Sequence, residues 1–103
     1  MTHIKEIILG LPQFKFIIFS FSFKKNKAQV PPGIPIMDCR SMKNCFSRAR
    51  ARKSPEFERL VERGVSILND KKVLACGCDY GKHRSVAVAE EIAERVGGKA
   101  IKI

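Results

Sequence analysis

The residues best suited to chemistry form one stretch, from Cys76 to Ser85, which reads C-G-C-D-Y-G-K-H-R-S. A short apolar run, 72–75, precedes it, and an alanine-rich run of helical character, 86–96, follows it. A polar, glycine-containing loop between a strand and a helix holds anions, because the free N–H groups and the dipole of the first helical turn attract negative charge. Arg84 adds a planar fork of donors for two phosphate oxygens. The stretch predicts a strand–phosphate loop–helix motif.

Cys78, Arg84 and Ser85 have the spacing C-x5-R-S, which is also that of the phosphate loop in cysteine-dependent phosphatases. In such a site Cys78 would attack phosphorus as a thiolate, which the helix N-terminus and the cationic neighbours favour. Arg84 would hold the equatorial oxygens, Ser85 could hydrogen-bond the thiolate, and Asp38 is a candidate general acid. Gly77 stands where phosphatases usually have a histidine, so catalysis and simple binding both remain open.

The net charge of +10 is concentrated in one segment of the chain. Residues 24–53 contain nine of the 20 basic residues and only one acidic residue, Asp38. Such a patch favours a phosphate-rich partner, chiefly RNA, although a solvated loop would have the same composition. The candidate RNA contacts are Lys24, Lys25, Lys27, Lys43, Arg48, Arg50, Arg52 and Lys53. Part of this segment, 41–53, lacks a clear period and is of the kind that orders on contact with a partner.

The remaining elements must position the loop. Hydrophobic patterns predict strands over 15–23, 34–37, 73–77 and 100–103, and helices over 54–70 and 85–96. Residues 3–9 fit either a short helix or an edge strand. Ser54 and Pro55 are a helix-start signal, and Asp38 follows the second strand at the sheet edge where ligands bind. The order predicts an α/β fold with a small, mostly parallel sheet flanked by helices.

The composition indicates neither a metal nor a cofactor. The four cysteines form no C-x-x-C pair, and Cys39, Cys45 and Cys76 are expected to be small buried side chains. No segment reaches the roughly 18–20 apolar residues of a membrane span, and the N-terminus lacks the order of a signal peptide, so we expect a cytoplasmic protein. A chain of 103 residues suits one domain, for which a homo-oligomer or a partner protein would be unsurprising.

Three segments resemble the RapZ family of RNase adapter proteins. The stretch from Gly77 to Glu90 is similar to the family's G-C-T-G-G-x-H-R-S-V-A-I-A-E, residues 20–24 to its S-F-G-F-K, and residues 38–40 to its D-V-R. These matches occur in sequence order and extend the similarity from about residue 15 to 103. RapZ proteins bind small RNAs and glucosamine-6-phosphate through a C-terminal domain. The resemblance therefore implies one such regulatory domain over residues 1–103.

Carried over position by position, the resemblance implies a ligand site. The phosphate contacts would be Cys78, Asp79, Gly81, His83, Arg84 and Ser85, with Asp38 and Arg40 on the sugar side. Tyr80 and Lys82 complete the candidate loop. We expect a module that binds a small phosphorylated ligand and RNA, with a small phosphatase as the alternative.

Three departures from the family bear on this expectation. Asp79 and Tyr80 replace the family's T-G, and an acid in a phosphate loop weakens anion binding unless it points away. The chain has no G-x4-G-K-[ST] motif, so no N-terminal nucleotide-binding domain is expected. The family's basic C-terminal tail has no counterpart before Ile103, so residues 24–53 would carry more of any RNA binding.

Overall fold

A four-stranded, all-parallel sheet forms the centre of the molecule in a computed structural model that describes residues 15–43 and 47–103. The strands are β1 (Ile17–Ser22), β2 (Ile36–Asp38), β3 (Val73–Cys78) and β4 (Lys99–Lys102). Their order in the sheet is β2-β3-β1-β4. The predicted α/β fold, with β3 inside the sheet and β2 at an edge, is confirmed.

Within the described residues, three α-helices accompany the sheet: α1 (Arg48–Ala51), α2 (Phe57–Lys71) and α3 (Arg84–Val96). The short α1 lies within segment 41–53, and the expectation that this segment orders on contact with a partner stays a prediction. Ala51 of this helix is fully buried. Arg48, in α1, and Arg52, the residue after it, form ion pairs with α3, and these contacts hold the turn in place. A 3-10 turn, Lys27–Gln29, lies in the connection between β1 and β2.

The α2 helix begins later than its start signal predicted. Ser54 accepts the Phe57 N–H at its carbonyl (3.0 Å), which forms a turn before the helix. Glu56 is the N-cap residue and makes no side-chain cap. The helix therefore starts at Phe57, because the serine closes a preceding turn instead of capping the first helical one.

Both long helices pack on one face of the sheet. Leu60 of α2 and Ile92 of α3 share a buried cluster with Ile18, Leu74 and other residues of that face. The opposite face has a second cluster, in which Phe19 and Phe21 of β1 pack with Val30 and Ile34 of the β1–β2 connection. Phe19 and Phe21 therefore face a core on this side of the sheet. Across the described ranges, none of the helices combines the length and apolar character needed to cross a membrane.

The connections after β1 and β3 leave the sheet on opposite faces. The chain after β1 covers the second cluster, whereas the chain after β3 becomes α3 on the first. These strands are neighbours, with Ser22 in register with Cys78. In parallel sheets, such divergence opens a crevice at the carboxyl ends of the two strands, where ligands bind. The predicted phosphate loop begins at this crevice.

Candidate functional site

The loop after β3 is anchored to the chain that follows β1. The Ser22 hydroxyl donates to the Asp79 carbonyl (2.5 Å) and accepts the Lys25 N–H (3.0 Å). The N–H groups of Phe23 and Lys24 donate to the carbonyls of Cys78 (2.9 Å) and Asp79 (3.2 Å). These bonds continue the β1–β3 pairing beyond the strands, so the first residues of the loop are fixed before any ligand is present.

Gly81 brings the loop against the backbone of β1. Its φ of 68° is in the left-handed region, which favours glycine. A Cβ at this position would lie 2.9 Å from Phe21 C and from Ser22 N, which are both backbone atoms. Glycine is therefore required at this position for two reasons: the left-handed backbone conformation and the close approach to the β1 backbone.

Gly77 has a different reason to be glycine. A Cβ there would lie 2.4 Å from the Phe21 ring and 2.7 Å from the Phe23 ring, so the two phenylalanines fill the space of a side chain. The rings contact each other edge to face with centroids 4.9 Å apart. The histidine that phosphatases have at this position has no room in this protein.

Cys78 lies at the floor of the loop, with 2% of its surface exposed. Its Sγ accepts the Ser85 N–H (3.4 Å) and lies 3.2 Å from the Ser85 hydroxyl. Burial raises the pKa of the thiol. Hydrogen bonds from Ser85 and from the Gly81 N–H lower it, as does the positive charge of Arg84, and together they outweigh the effect of burial. The net pKa of Cys78 is below its ordinary value, which favours the thiolate.

Arg84 is buried and ties three segments together. Its Nη1 donates to the carbonyls of Met42 (3.0 Å) and Arg40 (3.5 Å), which belong to the loop after β2. Its Nη2 lies 3.5 Å from the Asp79 carboxylate. Half of the guanidinium thus satisfies backbone carbonyls, and the other half faces an acid of the same loop. Asp79 points towards the arginine that was expected to hold phosphate.

Asp38 and Arg40 form an ion pair at the end of β2. The Arg40 guanidinium contacts both carboxylate oxygens, with distances of 2.7–3.1 Å. It also stacks over the Phe23 ring, 3.9 Å from the centroid. The side-chain hydrogen bond from Arg40 is the main reason that the pKa of Asp38 is below its ordinary value. The carboxylate therefore stays ionised at neutral pH.

The rim of the loop is formed by Tyr80, Lys82 and His83. Tyr80 is 48% exposed, Lys82 is exposed, and His83 is half-buried at the N-cap of α3 without a side-chain cap. The Lys24 and Lys25 ammonium groups lie 4.9 and 5.7 Å from the centroid of the Tyr80 ring. Two predicted RNA contacts thus adjoin a predicted ligand residue.

The other predicted RNA contacts are not gathered at the loop. Arg48 and Arg52 pair with Glu90 (3.2 Å) and Glu91 (2.7 Å) of α3, so α3 partly neutralises their charge. The remaining predicted contacts are exposed side chains, namely Lys27, Lys43, Arg50 and Lys53. Lys24 and Lys25 therefore lie at the rim of the loop, whereas Arg48, Arg50 and Arg52 lie in or directly after α1.

A groove beside Asp38 contains residues that the sequence analysis missed. It has a volume of about 310 Å³ and is lined by Asp38, Ser41, Arg59, Leu60 and Arg63. Arg59 pairs with Glu56 one turn earlier. The signal that could have found them is the spacing of four residues between Arg59 and Arg63, which places both on one helical face. The predicted sugar side thus has further cations.

Two described cysteines away from the loop floor, Cys39 and Cys76, are structural. Cys39 and Cys76 are fully buried in the first cluster, as predicted, and Cys45 lies outside the described residues, as do residues 3–9. Within the described ranges, no group of three or more His, Cys, Asp or Glu side chains is placed to hold a metal ion. Comparisons with protein-family models and with curated proteins gave no match for this chain.

Proposed function

We propose that this protein is a regulatory module that binds a phosphorylated small molecule in the Cys78–Ser85 loop. We propose that it also binds RNA through the basic residues of segment 24–53, which form its basic surface. The observation that carries the proposal is the place of the loop, which lies at the crevice between β1 and β3 and leads into the N-terminus of α3. Arg84 and the helix N-terminus supply positive charge there. A sugar phosphate such as glucosamine-6-phosphate is the ligand that the motif resemblance favours.

The Asp79 carboxylate sets how strongly the loop binds a phosphate. It lies 3.5 Å from Arg84 Nη2, so an incoming anion competes with it for the same donor. Asp79 is about a third exposed, so it can turn outwards, where a sugar hydroxyl or amine would be its partner. We therefore expect modest affinity for inorganic phosphate and higher affinity for a phosphate ester with a hydroxyl or amino group.

A cysteine-dependent phosphatase is the second candidate, and the lowered pKa of Cys78 favours it. Two features favour binding alone. Asp38 is held ionised by Arg40, whereas a general acid must carry a proton. Gly77 is enclosed by phenylalanine rings where phosphatases have a histidine. Hydrolysis of an aryl phosphate that disappears in Cys78→Ser would support the enzyme, and no turnover by either protein would support the binding module.

Calorimetric titration with glucosamine-6-phosphate tests the ligand half of the proposal. Arg84→Lys keeps the charge but loses the fork of donors, so it should weaken binding about tenfold. Lys71→Ala is the control, since Lys71 is an exposed residue at the end of α2 and lies at the opposite edge of the sheet. Equal affinity in wild type and Arg84→Lys would remove the loop as the binding site.

Fluorescence anisotropy of a labelled single-stranded RNA tests the other half. Binding that depends on lysine–phosphate contacts falls with salt, with a slope of about −0.7 per contact on logarithmic axes. We expect a steep slope for the wild-type protein. Affinity that is unchanged between low and moderate salt would exclude binding through the basic surface.

A further inference from the structure

Tyr80 is the exposed aromatic residue of the site. Among the described residues, it is the only aromatic side chain that is largely exposed. The neighbouring Phe23 ring, by contrast, is covered by the Arg40 guanidinium and by Phe21. The phosphate loop thus has one half-exposed aromatic ring at its rim, with the ammonium groups of Lys24 and Lys25 over it.

An exposed ring with adjacent cations is how proteins bind single-stranded nucleic acid. Bases stack on such a ring whatever their identity, and the cations contact the phosphates on either side. Lys24 and Lys25 have their ammonium groups within 6 Å of the Tyr80 centroid, and Lys24 Nζ is 3.5 Å from the Tyr80 hydroxyl. The rim therefore has the composition of a nucleotide site.

The floor of the loop restricts which phosphate can enter. Cys78, Arg84 and Ser85 are each at most 5% exposed. A phosphodiester inside an RNA strand has a ribose on both sides, so it approaches such buried groups less closely than a terminal phosphate does. A terminal phosphomonoester has three free oxygens and a single ester link, so it can enter with its sugar and base left outside.

We infer that the site binds a nucleoside phosphomonoester, either a free nucleotide or the phosphorylated end of an RNA strand. This inference rests on the proposed phosphate loop. The terminal phosphate enters the Cys78–Ser85 loop, the adjoining base stacks on Tyr80, and Lys24 and Lys25 contact the next two phosphates of a strand. The two halves of the proposed function then share one site.

The sequence provides a direct probe, since Tyr80 is the only tyrosine and the chain has no tryptophan. Its intrinsic fluorescence therefore reports on this ring alone. Adenosine 5′- or 3′-monophosphate should quench it saturably, whereas ribose-5-phosphate, which has no base, should bind without quenching. N-acetyltyrosinamide controls for light absorbed by the nucleotide. The same binding measured by calorimetry should be at least about fivefold tighter for the nucleotide than for ribose-5-phosphate.

Variants at the rim separate the contributions. Tyr80→Ala should reduce the affinity for the nucleotide at least about fivefold and leave that for ribose-5-phosphate unchanged, and Tyr80→Phe should keep the wild-type values. The double variant Lys24→Ala/Lys25→Ala should weaken a phosphorylated oligonucleotide and affect the mononucleotide much less. Removing the terminal phosphate from the oligonucleotide should weaken its binding as well.

The outcomes distinguish this inference from the proposed function. Equal binding of ribose-5-phosphate and both nucleotides, with no effect of Tyr80→Ala, would overturn the inference and leave the phosphate loop standing. Failure of all three compounds to bind would overturn both. Equal affinity for oligonucleotides with and without a terminal phosphate would overturn the assignment of RNA ends, and the mononucleotide results would then identify free nucleotides as the ligand.

Discussion

In the proposed phosphate loop, Asp79 is the residue that we expect to limit anion binding most. Its carboxylate lies 3.5 Å from Arg84 Nη2 and competes with any anion for that donor. Asp79→Asn should therefore tighten the binding of phosphate about tenfold, because it removes a like charge from the site. Calorimetry with inorganic phosphate measures this, with Asp70→Asn as a control on an exposed acid at the far end of α2. Weaker binding in Asp79→Asn would show that the carboxylate helps to hold the ligand.

Cys78 should make the proposed phosphate binding depend on pH. Its pKa lies below its ordinary value of 9.0, so the thiol is neutral at low pH and becomes a thiolate as the pH rises through that lowered pKa. A thiolate repels a phosphate dianion, so the affinity should fall over this range in the wild type and not in Cys78→Ser. The difference in thiolate ultraviolet absorbance between the two proteins gives the pKa directly. Ser85→Ala should raise that pKa, since the hydrogen bond between the Ser85 hydroxyl and the thiolate lowers it. A value above 9.0 in the wild type would contradict the description of the floor.

Gly81 and Gly97 form a matched pair for testing the close approach of the loop to β1. Their φ angles are 68° and 67°, but a Cβ would meet the β1 backbone at Gly81 and open space at Gly97. Gly97→Ala should cost about 1 kcal/mol of unfolding free energy from the backbone conformation alone, and Gly81→Ala about 3 kcal/mol or more. Denaturant unfolding measures both. Equal costs would mean that the loop can move away from β1 freely.

At the scale of elements, the basic residues of segment 24–53 differ in their contacts. Arg48 and Arg52 join α1 to α3 through Glu90 and Glu91, whereas Lys24 and Lys25 lie at the rim of the loop. Lys24→Ala/Lys25→Ala should reduce the salt slope of RNA binding by about 1.4, which corresponds to two phosphate contacts.

The paired arginines provide the comparison. Arg48→Ala and Arg52→Ala should each cost no more than about 1 kcal/mol of unfolding free energy, as expected of exposed ion pairs, and change the RNA salt slope less. Anisotropy titrations of both variant sets at several salt concentrations decide the point. A larger loss of RNA affinity from the arginines would place the RNA surface on α1.

Hydrophobic periodicity predicted the strands of the sheet, whereas the start of α2 and the helix α1 depend on contacts that periodicity does not show. The apolar stripe of α2 follows directly from burial on one face of the helix. Phenylalanine and serine alternate in β1, but all six residues of the strand are buried, because both faces of the sheet are covered. The start of α2 did not follow from Ser54, because the serine closes a preceding turn. The helix α1 was missed because its stability depends on ion pairs with a helix more than 30 residues away in sequence.

At the scale of the whole molecule, the sequence predicted the site's location better than its contacts. The positions of the loop and of Asp38 were predicted from the ends of strands, and the fold places both at the carboxyl ends of the parallel strands. The pairing of Arg84 with Asp79, and the grouping of Lys24 with Tyr80, depend on side-chain directions that a linear pattern does not contain. The net charge of +10 indicates a polyanionic partner but not which basic residues remain available to it.

The most direct test of the proposed phosphate loop is a nuclear magnetic resonance titration of the isotope-labelled protein with inorganic phosphate. The backbone amide signals of residues 79–86 should shift together and saturably, because these N–H groups line the loop and the first turn of α3. Signals from the C-terminal half of α2, at the other end of the sheet, should not move. Saturable shifts confined to residues 79–86 are the predicted result. Small, linear shifts spread over the basic surface, with the loop signals unchanged, would contradict the account.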